Sequence, residues 1–226
     1  MNLLLRILCL VFGYIFGMFQ TAYFYGKAHG IDIREHGSGN AGTTNTLRVL
    51  GKKAGLIVFI GDLFKMTIPV VLIGVIINSF FPEYSDIRYV LKLYFGFGGI
   101  IGHNFPFYLG FKGGKGIAAT SGMILGFHWT FVPVDLLLFF GTLSVLHYVS
   151  LSSMILMAGF LAQMIIMGVL KVGPFVDISD AALMETYIVT FCIVAMAYIR
   201  HIPNIKRLAT HSERKTYIFK KNKEEK

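Results

Sequence analysis

Lys112 and Lys115 stand among Gly113, Gly114 and Gly116, in a run that opens Gly102-His103-Asn104 and gives way at once to an apolar stretch from Ile117. Glycine lets a backbone turn its N–H groups inward with no Cβ in the way, and such concave nests bind anions. Lysine beside them adds point charge suited to a phosphate. The run is not a nucleotide-binding P-loop, which needs glycine where Leu109 stands and Ser or Thr where Gly116 stands. If Gly113 and Gly114 shape a phosphate nest, a methyl group at either weakens ligand binding and leaves turnover alone. His103, a lone histidine at a helix end, reads equally as a packing group or a catalyst.

Two further clusters carry polar groups of the same kind. The first, Gly37 to Arg48, holds Ser38, Asn40, Thr43, Thr44, Asn45 and Thr46 before the arginine. Hydroxyls and amides donate to an oxyanion, and arginine forks two hydrogen bonds to phosphate. Gly37, Gly39 and Gly42 spell G-x-G-x-x-G, but that dinucleotide fingerprint needs a preceding strand, and an apolar run of helix length precedes it here. The last cluster is Arg200-His201-Ile202-Pro203-Asn204-Ile205-Lys206-Arg207, followed by Glu213. His201 and Asn204, three apart, share a face of any helical turn, and Pro203 is expected to make that turn irregular. Ser150, Ser152 and Ser153 form a smaller patch that reads as site groups or as caps of the next helix.

The elements that position these groups must be membrane helices. The chain is 55% hydrophobic and 15% charged, with a mean hydropathy of +0.65. A helix needs roughly 20 apolar residues to cross about 30 Å of hydrocarbon. Seven apolar segments qualify in series, at 3–25, 54–81, 90–101, 117–127, 131–149, 154–170 and 182–199, the third and fourth being short. The expectation is an all-α polytopic membrane protein of about seven transmembrane helices. Residues 1–210 form one integral membrane catalytic domain, and 211–226 a basic cytoplasmic tail.

Charge orients it. With the N-terminus outside, the inner stretches hold Lys27, Arg34, Arg48, Lys52 and Lys53, then Lys112 and Lys115, then nine basic residues from Arg200 onward, against five elsewhere of the total of 21. The outer stretches hold Glu83, Asp86, Asp177, Asp180 and Glu185 instead. By the positive-inside rule all three clusters and the C-terminus face the cytoplasm. The net charge of +9 is then a topology signal and an attraction to anionic lipid. Nucleic acid is not an expected partner, since no basic stripe with interleaved aromatics lies outside the tail. Cys9 and Cys192 sit in apolar segments and read as small buried hydrophobes. No cleavage site follows the first apolar run before Lys27, so it reads as an uncleaved span.

Taken in order, the three clusters resemble the three cytoplasmic motifs of the bacterial acyl-phosphate-dependent glycerol-3-phosphate acyltransferases, the PlsY family, from about Gly37 to Glu213. The chain departs from that pattern at Ile202, where the family usually has Arg, and at His211, where it usually has Gly. The resemblance implies transfer of a fatty acyl group from acyl phosphate to the 1-hydroxyl of sn-glycerol 3-phosphate, giving lysophosphatidate and phosphate, at the bacterial plasma membrane. It implies catalytic roles for Ser38, Arg48, His201, Asn204 and Glu213. It implies substrate binding by Asn40, Thr44, Asn45, Lys112, Gly113, Gly114, Lys115, Gly116, Ser150, Ser153 and Arg207. No cofactor, metal or partner protein is implied; the partners are the two substrates and membrane lipid. Acyl-CoA enzymes of the His-x-x-x-x-Asp type are excluded, because no histidine here is followed by Asp at that spacing. The alternative is a small transporter for a phosphorylated solute. It would need binding groups near the bilayer midplane, for which Asp62 and Lys65 are the candidates, and at three apart those two can simply pair.

Overall fold

A computed structural model describes residues 2–217, and among these it is helical throughout, with no strand. The helices are α1 (Asn2–Gly17), α2 (Thr21–Ala28), α3 (Thr43–Leu50), α4 (Lys52–Phe80), α5 (Arg88–Asn104), α6 (Ile117–Phe127), α7 (Val132–Leu146), α8 (Val149–Val169) and α9 (Asp180–Ala209). Five helical stretches, Leu3–Ala28, Lys52–Phe80, Trp129–Leu146, Val149–Val169 and Asp180–Ala209, are long and apolar enough to cross a membrane. All seven expected segments are helical. The two short ones become α5, of 17 residues, and α6, of 11. At 1.5 Å per residue these span about 26 and about 17 Å.

Several boundaries differ from expectation. The first span breaks after α1, where the side-chain amide of the fully buried Gln20 donates to the His103 carbonyl at 2.8 Å. Residues 150–153, left between two expected segments, lie in the first turn of α8, and the last helix begins at Asp180, earlier than the expected 182. Pro203 does not interrupt α9, which runs on to Ala209; a membrane helix tolerates the one missing donor. Asp62 and Lys65 do pair, at 3.0 Å.

Helices in lipid gain little from burying one apolar side chain against another, so close backbone approach and hydrogen bonding must hold them together. Glycines supply that approach. On α1, Gly13 and Gly17 meet α5 so closely that an added Cβ would lie 2.0 Å from the Phe95 carbonyl oxygen and 1.9 Å from that of Gly99. On α5, Gly98 and Gly102 answer with 2.1 Å each to the carbonyls of Leu10 and Tyr14. A second such seam joins α6 to α4, where a Cβ at Gly122 would stand 2.0 Å from the Leu63 carbonyl. The Thr67 hydroxyl hydrogen-bonds across it to the Gly122 carbonyl at 3.0 Å. Phe127, Phe131, Phe160 and Phe175 fill the core between these seams and α8. Leu56, Ile60, Leu72 and Val75 of α4, with Ile188 and Phe191 of α9, turn outward, as a helix in hydrocarbon requires.

The seams fix direction as well as distance. Leu10 and Tyr14 match Gly98 and Gly102 in rising order, so α1 and α5 run parallel, and so do α4 and α6. Arg6 and Glu185 form a two-pronged ion pair, at 2.5 and 2.6 Å, between the beginnings of α1 and α9. The end of α5, the start of α6, the start of α8 and the end of α9 therefore gather at the opposite end of the bundle, and these carry the polar clusters. Gly98→Ala is expected to lower thermal stability in detergent by about 1–3 kcal/mol, as overpacking does. Gly141→Ala, a helical position with open space around it, is expected to gain about 0.5–1 kcal/mol. Parallel melting curves check the contrast.

Candidate active site

The carboxylate of Glu213 ties three elements together. One oxygen accepts from Ser150 Oγ and from Asn204 Nδ2, both at 2.7 Å, and the other accepts from Arg207 Nε at 2.6 Å. Burial pushes this carboxyl up, but the hydrogen bonds from Arg207, Ser150 and Asn204 outweigh it and hold the group ionised, below its ordinary range. Asn204 is thereby oriented: with its amide nitrogen committed to Glu213, its oxygen faces outward and accepts from Lys115 Nζ. Residues from α8, α9, the glycine run and the segment after α9 thus share one network.

Glu213 can reach back because α9 ends in a tight reversal. The amides of His211 and Ser212 donate to the carbonyls of Leu208 (3.2 Å) and Arg207 (2.8 Å), the pattern that closes a helix through one left-handed residue. His211 is that residue, with φ of 53°. The turn that the family resemblance builds on glycine is kept here by a histidine, at a cost of about 1–2 kcal/mol. Beyond it, Thr216 N donates to the His147 carbonyl at 2.8 Å, and Arg48 Nη2 donates to Thr216 Oγ1 at 2.9 Å. Arg48, at the end of α3, thereby joins the network.

Lys115 is strongly altered by its setting. Burial, reinforced by Arg207, Arg200 and Arg48 and opposed by Glu213, draws its ammonium down to about 8. Gly116, in the left-handed region at φ 82°, precedes α6, whose first turn has no side-chain cap; free N–H groups there favour an anion. On α9, His201 is buried, and its Nδ1 lies 2.7 Å from the Ala197 carbonyl. A carbonyl only accepts, so Nδ1 carries the proton and Nε2 keeps its lone pair. Cations therefore outnumber the single carboxylate, Glu213.

Not every expected group takes part as expected. The Gly113 and Gly114 amides do not face a ligand; they donate to the Asn104 and His103 carbonyls at 3.2 and 3.1 Å, capping the end of α5. Their lack of a Cβ serves packing, since an added one would fall 2.1 Å from the His103 carbonyl oxygen and 2.1 Å from His103 Nε2 respectively. Asn45 is spent on its own loop. Its amide donates to the Ile33 and His36 carbonyls and accepts from Ser38 N, so it shapes the turn that presents Ser38. Ser153 donates to the Val149 carbonyl one turn back, while Ser150 alone of the serine patch reaches Glu213. Ser38 and Lys112 are exposed, and Asn40 and Thr44 half-buried. They lie on segments that touch the glycine run, where Ala41 O approaches Gly114 and Arg34 Nη1 donates to the Leu109 carbonyl at 3.1 Å. Arg200, read in the sequence only as a topology signal, proves central: its Nη2 donates to the Gly114 carbonyl at 2.8 Å.

A family model described as glycerol-3-phosphate acyltransferase matches residues 7–211. The chain belongs to the glycerol-3-phosphate acyltransferase family. A glycerol-3-phosphate acyltransferase of Streptococcus thermophilus is 38% identical over 213 residues, spanning 92% of this chain and 91% of the relative. One from Streptococcus pneumoniae is 35% identical over 211 residues, spanning 93% and 92%. Among solved structures, the chain is similar to PlsY, an integral membrane glycerol 3-phosphate acyltransferase, in its glycerol 3-phosphate form. That match has a TM-score of 0.79 at 29% identity and covers 94% of this chain and 96% of that one. The lysophosphatidic acid form of PlsY gives 0.76 at 28%.

Two outcomes follow for this acyltransferase. Gly113→Ala and Gly114→Ala are expected to lower thermal stability together with activity, by about 1–3 kcal/mol for a Cβ forced onto the His103 carbonyl or ring; a raised Michaelis constant at unchanged stability contradicts the packing role. A lysine is charged below its pKa, so the charge of Lys115 is lost as pH rises through about 8. The affinity for inorganic phosphate, titrated by calorimetry, is expected to fall across that pH, and Lys115→Arg is expected to flatten the fall.

Proposed function

We propose that this site transfers a fatty acyl group from acyl phosphate to the 1-hydroxyl of sn-glycerol 3-phosphate, giving lysophosphatidate and phosphate. The observation that carries the reading is the surplus of cations, Arg48, Lys115, Arg200 and Arg207, around one ionised carboxylate at a single end of an apolar bundle. Acyl phosphate keeps its chain in hydrocarbon and its phosphate at the interface, while the acceptor arrives from water with a phosphate of its own. Two unit charges about 6 Å apart repel by about 3 kcal/mol at an effective dielectric of 20. Positioned cations offset that repulsion and hold hydroxyl and carbonyl in reach. The solved relatives named for glycerol 3-phosphate and lysophosphatidic acid support this acceptor and this product here.

Lys115 and the first turn of α6 hold the acceptor phosphate, with Lys112 and Gly116 beside them. Arg48 and Arg207 face the donor phosphate, with Ser38, Asn40 and Thr44 at its rim. Glu213 and Ser150 position Asn204 and Arg207 rather than touching the reacting atoms. The acceptor oxygen bonds to the acyl carbon, the bond from that carbon to the phosphate oxygen breaks, and the hydroxyl proton ends on the departing phosphate. The Nε2 lone pair of His201 steadies that proton on its way. The anhydride is already activated, so orientation and charge do most of the catalysis.

The chain crosses the bacterial plasma membrane seven times, with its N-terminus outside and the clusters facing the cytoplasm. The parallel α1–α5 and α4–α6 seams and the basic-residue asymmetry support that topology. Residues 211–217 act with the catalytic unit, and the basic run beyond, outside the described residues, is a cytoplasmic tail.

Purified protein with palmitoyl phosphate and glycerol 3-phosphate is expected to yield lysophosphatidate, and palmitoyl-CoA in place of the donor to yield none. Turnover with the CoA ester alone overturns the donor assignment. In a cysteine-free background, Asn40→Cys, Lys112→Cys and Lys215→Cys are expected to resist a membrane-impermeant thiol reagent in intact cells, and Glu83→Cys to react.

A further inference from the structure

Three ionisable side chains outside the site are sealed inside the bundle: Asp62 and Lys65 of α4 and His103 of α5, with side chains 1%, 9% and 3% exposed. Burying charge in a membrane protein is costly, and such groups are retained where they serve function. A salt bridge between Asp62 and Lys65 needs no histidine, yet the lysine is aimed at one. Its ammonium has three protons, directed at Asp62 Oδ1 (3.0 Å), the Phe19 carbonyl (2.5 Å) and His103 Nδ1 (2.8 Å). Thr21 Oγ1 donates to the same Asp62 oxygen at 2.8 Å. An ammonium only donates, so Nδ1 accepts, and the neutral ring carries its proton on Nε2.

That Nε2 edge lies against the catalytic loop, at the point where a Cβ on Gly114 would come within 2.1 Å of it. The His103 carbonyl meanwhile accepts from Gly114 N at 3.1 Å and from the Gln20 amide at 2.8 Å. One histidine thus holds Gly114 from two sides, by its main chain and by its ring, and Lys115 is the next residue along.

We propose that Asp62, Lys65 and His103 form a positioning relay for the acyltransferase: the ion pair fixes the tautomer and tilt of His103, and His103 sets the height of Gly114 and so the aim of Lys115 at the acceptor phosphate. This rests on the reading that Lys115 holds that phosphate. It makes α4 and α5 contributors to acceptor binding, although neither Asp62 nor Lys65 touches a substrate.

The test uses the full-length enzyme in detergent. Asp62→Asn combined with Lys65→Met removes both charges together and strands neither. The Michaelis constant for glycerol 3-phosphate is expected to rise by about tenfold, equivalent to about 1.4 kcal/mol, while that for acyl phosphate moves by less than about twofold. His103→Gln, which keeps an N–H at that reach, is expected to retain acceptor affinity better than His103→Leu. An unchanged acceptor constant in the double variant, or equal loss for both substrates, overturns the relay. Nitrogen-15 NMR of the wild-type imidazole is expected to show His103 protonated at Nε2 alone, and a proton on Nδ1 overturns the relay even where the double variant does not fold. Lys115→Met separates the premises: if it leaves the acceptor constant unchanged, the phosphate assignment of the loop fails; if it raises that constant and the double variant does not, the relay alone fails.

Discussion

In hydrocarbon, one apolar side chain gains almost nothing by leaving lipid for another, so this bundle depends on how closely its backbones can approach. Gly13 and Gly17 of α1 against Gly98 and Gly102 of α5 bring two helices to a separation that any larger residue forbids. Gly122 of α6 does the same against α4. Because each seam admits one register, it also fixes where the helix ends fall. The end of α5 and the start of α6 are thereby set, and the glycine run between them has little freedom left.

From there the polar end is built by hydrogen bonds that each serve two masters. The Gly113 and Gly114 amides close the last turn of α5, while their carbonyls take the guanidinium of Arg200 from α9. Glu213 collects Ser150, Asn204 and Arg207, and so converts three separate helix positions into one surface. A carboxylate amid cations wanted for phosphate looks wasteful, since it cancels one of them. Its return is orientation: without it the Asn204 amide has no fixed sense, and the like charges of Arg207 and Lys115 lack a counter-ion. Lysine and arginine differ here as well, because burial that draws Lys115 toward neutrality leaves the guanidinium groups charged.

Much of this was legible from the amino-acid order. Hydropathy located the apolar helices but not the polar α3, and the asymmetry of lysine and arginine placed all three clusters at one end, because both signals depend on residue type alone. The three clusters, with the smaller serine patch that holds Ser150, supplied the members of the network, Glu213 among them. What could not be read was direction. Gly113 and Gly114 carry amides that can face a ligand or their own helix, and only the position of the His103 carbonyl decides between them. Asn45 has the same ambiguity, resolved by the fold of residues 33–38 around its side chain. The spacing of Gly13 with Gly17 and of Gly98 with Gly102 was visible, but the pairing of these distant segments was not. Arg200 was discounted because a basic residue at the end of a span already has an explanation.

The clasp between Arg6 and Glu185 joins the first helix to the last, and the segment carrying Glu213 follows that last helix. Translation therefore delivers the keystone only after the last of the helices. Until the ribosome has passed Glu213, Asn204 and Arg207 lack the carboxylate that orients them, and the chain sits in the membrane as a set of helices with an unfinished cationic mouth. Termination between codons 209 and 213 would leave every helix complete and the network without its carboxylate. Order at the polar end thus comes after the helices that carry it, written into the sequence in which the parts are made.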